Sequence, residues 1–195
     1  LTACKGRIVI SGIGKSAIIA QKIVATLNST GSPAIFLHAA DAIHGDLGMV
    51  QQSDVVIIIS KSGESPEIKV LVPLIKNFGN PLIGIVGSTT SFLAKKSDFV
   101  INTTVSQEAC PNNLAPTTST TAQMVMGDAI AICLMEKRGF NIGDFAKLHP
   151  GGALGKKLYL RVADLYVDNE KPQVKADQNM KEVLVEMTAK RLGVT

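Results

Sequence analysis

The sequence predicts an α/β fold: a three-layer αβα sandwich built on a five-stranded parallel sheet, with a short C-terminal α/β fragment behind it. Short uncharged runs rich in Ile and Val, such as Val55 to Ile59, alternate with helical patterns, as strands buried on both faces of a parallel sheet require. Aromatic residues make up only 4% and Trp is absent, which argues against an antiparallel sandwich, and 46% hydrophobic residues in 195 suffice for a core. Composition also excludes some classes. No apolar run reaches the length of a bilayer-spanning helix, and the first residues are not a signal peptide, so no membrane partner is expected. Cys4, Cys110 and Cys133 are odd in number and lack metal-ligand spacing; they read as reduced thiols of a cytoplasmic protein without a metal site. The net charge of +4 comes from scattered Lys and Arg, which suits small anions and gives no basic run for nucleic acid. The chain opens at Leu1, not Met, and part of the N-terminus is expected to be missing.

Arg7 to Ser11 is the first strand. Gly12-Ile13-Gly14-Lys15-Ser16 follows it and opens a helix with Ala20, Ile23, Val24 and Leu27 on one face, closed by Gly31. Two nucleotide motifs fail here. A P-loop needs Gly where Val9 stands, and a dinucleotide fingerprint forced onto Gly12, Gly14 and Ala17 meets His38 where an acidic ribose ligand belongs, after the second strand, Ala34 to Leu37. Asp41 to Val50 has no strong period and reads as a functional loop. Strands at Val55 to Ser60, Leu82 to Val86 and Phe99 to Asn102 complete the sheet, which places ligands at the carboxyl ends of its strands.

The stretch Ser60-Lys61-Ser62-Gly63-Glu64-Ser65-Pro66-Glu67 reads as a phosphate cradle. Ser65 caps a helix whose first position suits Pro66 and whose buried face is Ile68, Leu71, Val72 and Ile75, with Pro73 expected to kink it. Ser60, Ser62 and Ser65 thus converge on a helix N-terminus, where free N–H groups and the macrodipole favour an anion and Gly63 permits close approach. Taken alone, such a turn is equally an ordinary N-cap. The cluster Thr117 to Thr121 opens a second, long helix and offers another anion-ready terminus; the expected buried face of this helix is Ala122, Val125, Met126, Ala129, Ile130, Cys133 and Leu134, with Gly139 as its stop. A short charged segment leads to His149-Pro150-Gly151-Gly152-Ala153-Leu154-Gly155, expected to be an extended or turning tail. From Val162 charges become denser, a helix from about Met180 to Arg191 follows, and the remaining stretch is too short for a core of its own.

Taken together, Gly12 to Ser16, His44 to Val50, Ser60 to Glu67, Glu108-Ala109-Cys110-Pro111, Ala115 to Thr121, Gly127-Asp128-Ala129 and His149 to Gly155 closely resemble the arabinose-5-phosphate isomerases, enzymes with a sugar isomerase (SIS) domain. The likeness runs in unbroken order from residue 5 to about residue 163. It implies a SIS domain over residues 1–161 and a partial cystathionine-β-synthase (CBS)-like segment over 162–195. Lys61 departs from the family's usual Asn, and Ala39-Ala40 from its Pro-Gly; Lys61 is expected to alter anion preference.

The resemblance implies reversible conversion of D-ribulose 5-phosphate to D-arabinose 5-phosphate, the first step toward 3-deoxy-D-manno-octulosonate for lipopolysaccharide or capsule, with no cofactor. Moving a proton between C1 and C2 through an enediol requires a base, an acid and a stabiliser of negative charge on oxygen. The family's functional residues fall on Lys15, His44, Glu67, Glu108 and His149. Glu108 is expected to be the base, His149 the proton shuttle, Lys15 the enediolate stabiliser and Glu67 the orienting carboxylate, with the two Glu roles exchangeable. His44 either acts directly, holds its loop or binds a stray metal with Asp46. Substrate binding is assigned to Gly14, Ser16, Ser60, Ser62, Gly63, Ser65, Thr117, Thr118, Ser119 and Thr120. The expected partners are a sugar phosphate, CMP-3-deoxy-D-manno-octulosonate as a feedback ligand, and further copies of the chain in a tetramer where His149 meets a neighbour's Lys15, Glu67 and Glu108. Two rival readings are a SIS enzyme for another sugar phosphate and a non-catalytic SIS sensor.

Overall fold

Neighbouring residues along each inner strand are buried in turn in two separate cores, and that alternation sets the layers. Val9, Val56, Ile58, Leu82 and Val86 face one core, while Ile8, Ile10, Ile57, Ile59, Ile83 and Ile85 face the other. This computed structural model describes residues 1–152, 155–156, 161 and 170–190. Five parallel strands, β1 (Ile8–Gly12), β2 (Ala34–His38), β3 (Val55–Ser60), β4 (Leu82–Val86) and β5 (Phe99–Asn102), lie in the order β2-β1-β3-β4-β5. The α/β fold is therefore the one expected, and β3, β4 and β5 have the anticipated bounds.

Helix α1 (Lys15–Ser29) buries Ala20, Ile23 and Leu27 in one core, with Val24 packed at its margin. On the opposite face, α2 (Ala39–Ala42) contributes Ala39 and Ala42, and α3 (Pro66–Phe78) buries Ile68, Leu71, Val72 and Ile75, the face its spacing predicts. Helix α3 continues past Pro73 to a left-handed Gly79. Helix α4 (Phe92–Lys96) completes that layer, its start capped by Ser91. Helix α5 (Thr118–Arg138) lies beside α1 and ends at a left-handed Gly139.

The face of α5 corrects the sequence expectation. Leu134 is buried and Ile130 partly so, but Val125, Ala129 and Cys133 are exposed, and the buried stripe is Ser119, Gln123, Gly127, Ala131 and Leu134. The reason is close helix–helix approach: a Cβ on Gly127 would lie 2.3 Å from Ile23 Cδ1, so α1 selects the small residues of α5. The loop expected between residues 41 and 50 holds a turn of 3-10 helix, Asp46–Met49. The charged segment before His149 forms α6 (Ile142–Leu148), started by Asn141, whose side-chain oxygen accepts the Gly143 and Asp144 N–H groups.

Contacts divide the chain into Leu1–Leu148 and His149–Thr195, earlier than the boundary expected at 161/162. In the second unit His149 to Gly152 turns, the Gly152 N–H donating to the His149 carbonyl at 3.1 Å. Gly155 and Lys156 are helical, with the Lys156 N–H reaching the Gly152 carbonyl at 2.9 Å, so the tail is not extended at that point. A helix spans Met180–Lys190, and Arg191 lies outside the described residues, as do Ala153, Leu154 and the opening of the CBS-like segment at 162–169. Among the described residues no helix is long and apolar enough to cross a membrane.

Candidate active site

The order β2-β1-β3 means that the chain leaves β1 toward one edge of the sheet and returns beyond it on the other side. Ligands collect at the carboxyl ends of strands flanking such a reversal. Here Gly12 of β1 lies beside Ile59 of β3, and a cleft of about 300 Å³ opens above them. Ile13, Lys15 and Ser16 form one wall, and Ser60, Lys61, Ser62 and Ser65 a second. The third comes from the start of α5 with Pro116, Ser119, Thr120 and Gln123.

The cradle turn is held by its own backbone. The Gly63 N–H donates to Ser60 Oγ at 3.0 Å, and the Glu64 N–H to Ser62 Oγ at 3.3 Å. Gly63 sits at φ 65°, and a Cβ there would lie 2.3 Å from Ser91 Oγ. A side chain at Gly63 would thus run into the start of α4, which is a packing reason for glycine at this position. Glu64 ties the same two elements, one oxygen accepting the Phe92 N–H at 2.6 Å and the other pairing with Lys69 at 2.8 Å. Ser65 occupies the N-cap position of α3 but makes no side-chain cap bond, and its hydroxyl is buried without a hydrogen-bond partner among the described residues. A buried hydroxyl costs free energy unless it is hydrogen-bonded, and Ser65 Oγ is uncommitted at the cleft wall.

Both helix starts border the cleft, but Glu108 shares the start of α5 with it. Its side chain is wholly buried and already occupies the N-terminus of α5. One oxygen accepts the N–H groups of Thr117 at 2.8 Å and Ser119 at 3.1 Å; the other accepts Lys61 Nζ at 2.6 Å and the Ser119 hydroxyl. The chain's own carboxylate thus takes two of the N–H groups at that helix start, those of Thr117 and Ser119. The Lys61 ammonium, then the Ser119 hydroxyl and the Thr117 N–H, hold the Glu108 carboxyl far below the usual range, against the opposing effect of burial. A carboxylate held so firmly ionised is a weak proton acceptor.

Asp54 behaves similarly at the other end of the sheet. Burial pushes its pKa up, but the N–H groups of Arg7 and Gln51 and the Arg7 guanidinium outweigh it and leave the pKa lowered. Groups with depressed folded pKa values contribute stability that is present above the unfolded value, about 4, and lost as pH falls through the folded one. Thermal melting should therefore give a lower Tm at pH 3 than at pH 6; equal values would show that these carboxylates do not contribute in this way.

Of the residues singled out from sequence, Lys15, Ser16, Ser60, Ser62, Ser65, Ser119 and Thr120 line the cleft, and Glu108 lies behind its wall. Gly14, at φ 59°, shapes the entry to α1. Thr117 and Thr118 do not join this cleft: they line a separate apolar groove with Val125 and Ala129, because the α5 start turns those side chains away from Ser119 and Thr120. Glu67 stands in the first turn of α3, half-buried, and its carboxylate has no hydrogen bond or ion pair among the described residues. His44 is exposed after α2 and is not part of the cleft wall. His149 belongs to the second unit.

Gln123, and the pairing of Lys61, escaped the sequence reading. Lys61 is expected from the sequence to alter anion preference, but its partner Glu108 lies 47 positions away. Gln123 is buried and accepts the Ser16 hydroxyl at 3.2 Å, tying α1 to α5; its place one turn after Ser119 in a small-residue stripe was the available signal. Among the described residues no group of three or more His, Cys, Asp or Glu is placed to hold a metal ion.

The model of the SIS domain family matches residues 1–133. The chain belongs to the SIS-domain family. Curated SIS relatives include the arabinose 5-phosphate isomerase KdsD of Escherichia coli, 51% identical over 193 residues, 98% of this chain and 59% of the relative. KdsD of Pseudomonas aeruginosa is 51% identical over 196 residues, 100% of this chain and 60% of the relative. The chain thus spans about three fifths of the length of these relatives. Among solved SIS structures, an E. coli CFT073 protein in complex with arabinose 5-phosphate is 47% identical, with a TM-score of 0.75 over 77% of this chain and 80% of that one.

Proposed function

We propose that this SIS domain interconverts D-ribulose 5-phosphate and D-arabinose 5-phosphate, on the route to 3-deoxy-D-manno-octulosonate. The observation that carries the reading is a cleft that holds Lys15, Ser60, Ser62 and Ser65, whose hydroxyl has no partner among the described residues, a donor set suited to a phosphate. The names of the relatives, and the sugar phosphate in the solved one, support the same substrate class.

The reaction removes a proton from C1 of the ketose and returns one at C2 of the enediol, while O1 gives up its proton and O2 gains one. Lys15 stabilises the enediolate oxygen. The state of the two carboxylates favours exchanging their expected roles: Glu67, uncommitted, takes the proton, and Glu108, saturated with donors, positions Ser119 and the α5 start. His149 remains the candidate proton shuttle, supplied within an oligomer. Incubation with ribulose 5-phosphate followed by product identification tests the activity. Tight sugar-phosphate binding without turnover would instead favour a sensor.

The exposed apolar residues of α5, among them Val125 and Ile132, each 59% exposed, support assembly into a homo-oligomer, with the tetramer as the state to test. Val125→Lys is expected to shift the assembly to smaller species in light scattering; an unchanged mass would remove this face from the interface. The free cysteines fit the expected cytoplasmic setting. CMP-3-deoxy-D-manno-octulosonate is proposed as a feedback ligand of the same anion-binding cleft, and calorimetry without binding at millimolar concentration would dispose of it.

A further inference from the structure

The hydroxyls that line the cleft fall into two sets, according to where their protons go. A serine or threonine hydroxyl has one proton to donate and lone pairs with which to accept. On the wall after β3, Ser60 Oγ accepts the Gly63 N–H at 3.0 Å and Ser62 Oγ accepts the Glu64 N–H at 3.3 Å, and neither donates its own proton among the described residues. Ser65 Oγ has no hydrogen-bond partner among them. The hydroxyls of the other two walls have already spent their protons. Thr120 donates to the Thr117 carbonyl at 2.9 Å, Ser119 to the Glu108 carboxylate, and Ser16 to Gln123 Oε1 at 3.2 Å. These three keep only lone pairs for a ligand.

The two ends of a sugar phosphate ask for opposite things. The oxygens of a phosphate dianion only accept, which suits the free protons of Ser60, Ser62 and Ser65, whereas each sugar hydroxyl brings a proton that needs an acceptor. Ser16 is the acceptor whose state depends on one distant side chain. Gln123 is 1% exposed, lines the cleft one turn after Ser119, and takes the Ser16 proton across the gap between α5 and α1. We propose that Gln123 is a positioning residue for sugar recognition: by holding the Ser16 proton, it leaves the Ser16 oxygen to accept a hydroxyl of the sugar, opposite the wall that donates to the phosphate. This inference rests on the sugar-phosphate reading of the cleft, and it fixes which end of the ligand faces which wall.

Calorimetric titration with arabinose 5-phosphate, alone and in competition with inorganic phosphate, reads the two ends separately. Gln123→Met, close in size but without an acceptor, should weaken arabinose 5-phosphate roughly three- to tenfold and leave inorganic phosphate within about twofold. Ser16→Ala should show the same split between the ligands. The double substitution should bind no more weakly than Ser16→Ala alone, because the amide acts only through that hydroxyl. Ser62→Ala, on the opposite wall, should weaken both ligands. Circular dichroism checks that each variant is folded, and Gln123→Leu replaces the Met variant if that one is not. Unchanged arabinose 5-phosphate affinity in either single variant overturns the proposal, as does an equal loss for both ligands, which would place Gln123 in the phosphate site or in the frame of the fold. A loss in the double variant beyond that of Ser16→Ala also overturns it, since Gln123 would then touch the sugar itself. Failure of the wild-type protein to bind either ligand overturns the sugar-phosphate reading, and the inference with it.

Discussion

Glu67→Gln is expected to lower kcat roughly 100- to 10,000-fold while leaving KM and Tm near wild type. The carboxylate has no hydrogen bond or ion pair among the described residues, so its removal orphans no buried donor. Its place in the first turn of α3 puts it within the positive end of that helix, next to the cradle. Steady-state kinetics on ribulose 5-phosphate, with melting curves of the same samples, make the comparison. A kcat within about threefold of wild type would return the base to Glu108 or to His149.

Glu108→Ala should do the opposite, unfolding the start of α5 before any question of chemistry arises. Three kinds of donor point at this carboxylate: the N–H groups of Thr117 and Ser119, the Ser119 hydroxyl and the Lys61 ammonium. Alanine leaves them buried or half-buried with no acceptor, one of the few routes to a large loss from a single substitution. Tm should fall by roughly 5 °C or more, and hydrogen exchange should quicken at Thr117 to Thr121 before the strands respond. Activity should be lost with the wall of the cleft. A variant with normal stability and exchange, lacking only kcat, would restore Glu108 as the proton-transfer group.

The sheet was legible because each strand is a local pattern. β3 to β5 are uncharged runs bounded by turns; β3 and β4 are buried on both faces, and β5, largely exposed at the sheet edge, has the same local pattern. The face of α3 was legible for a similar reason, since its apolar stripe meets a sheet that accepts large side chains. α5 was not. Its most apolar stripe points outward, because the neighbour is another helix close enough for Gly127 to touch Ile23, and small residues win there over large ones. Cradle hydroxyls could be read as a group because they sit within six positions of chain. The occupation of the α5 start by Glu108 could not, for Lys61 and Glu108 meet only after three strands have been laid side by side. Hydroxyl-rich helix starts look alike in sequence whether they await a ligand or are already filled by the chain.

The placement of the cleft at adjoining strand ends has a consequence for how this domain changes over time. Two of its walls grow from β1 and β3, whose spacing is set by ladder hydrogen bonds and does not depend on which side chains follow Gly12 or Ser60. The third wall rides on α5, held to α1 through the Ser16–Gln123 contact and the Gly127 notch. Residues beyond the strand ends can therefore be exchanged one at a time, as with a lysine at position 61, without reshaping the frame that holds the others. Descendants of such a scaffold can drift toward other ligands by small steps, each keeping a folded cleft.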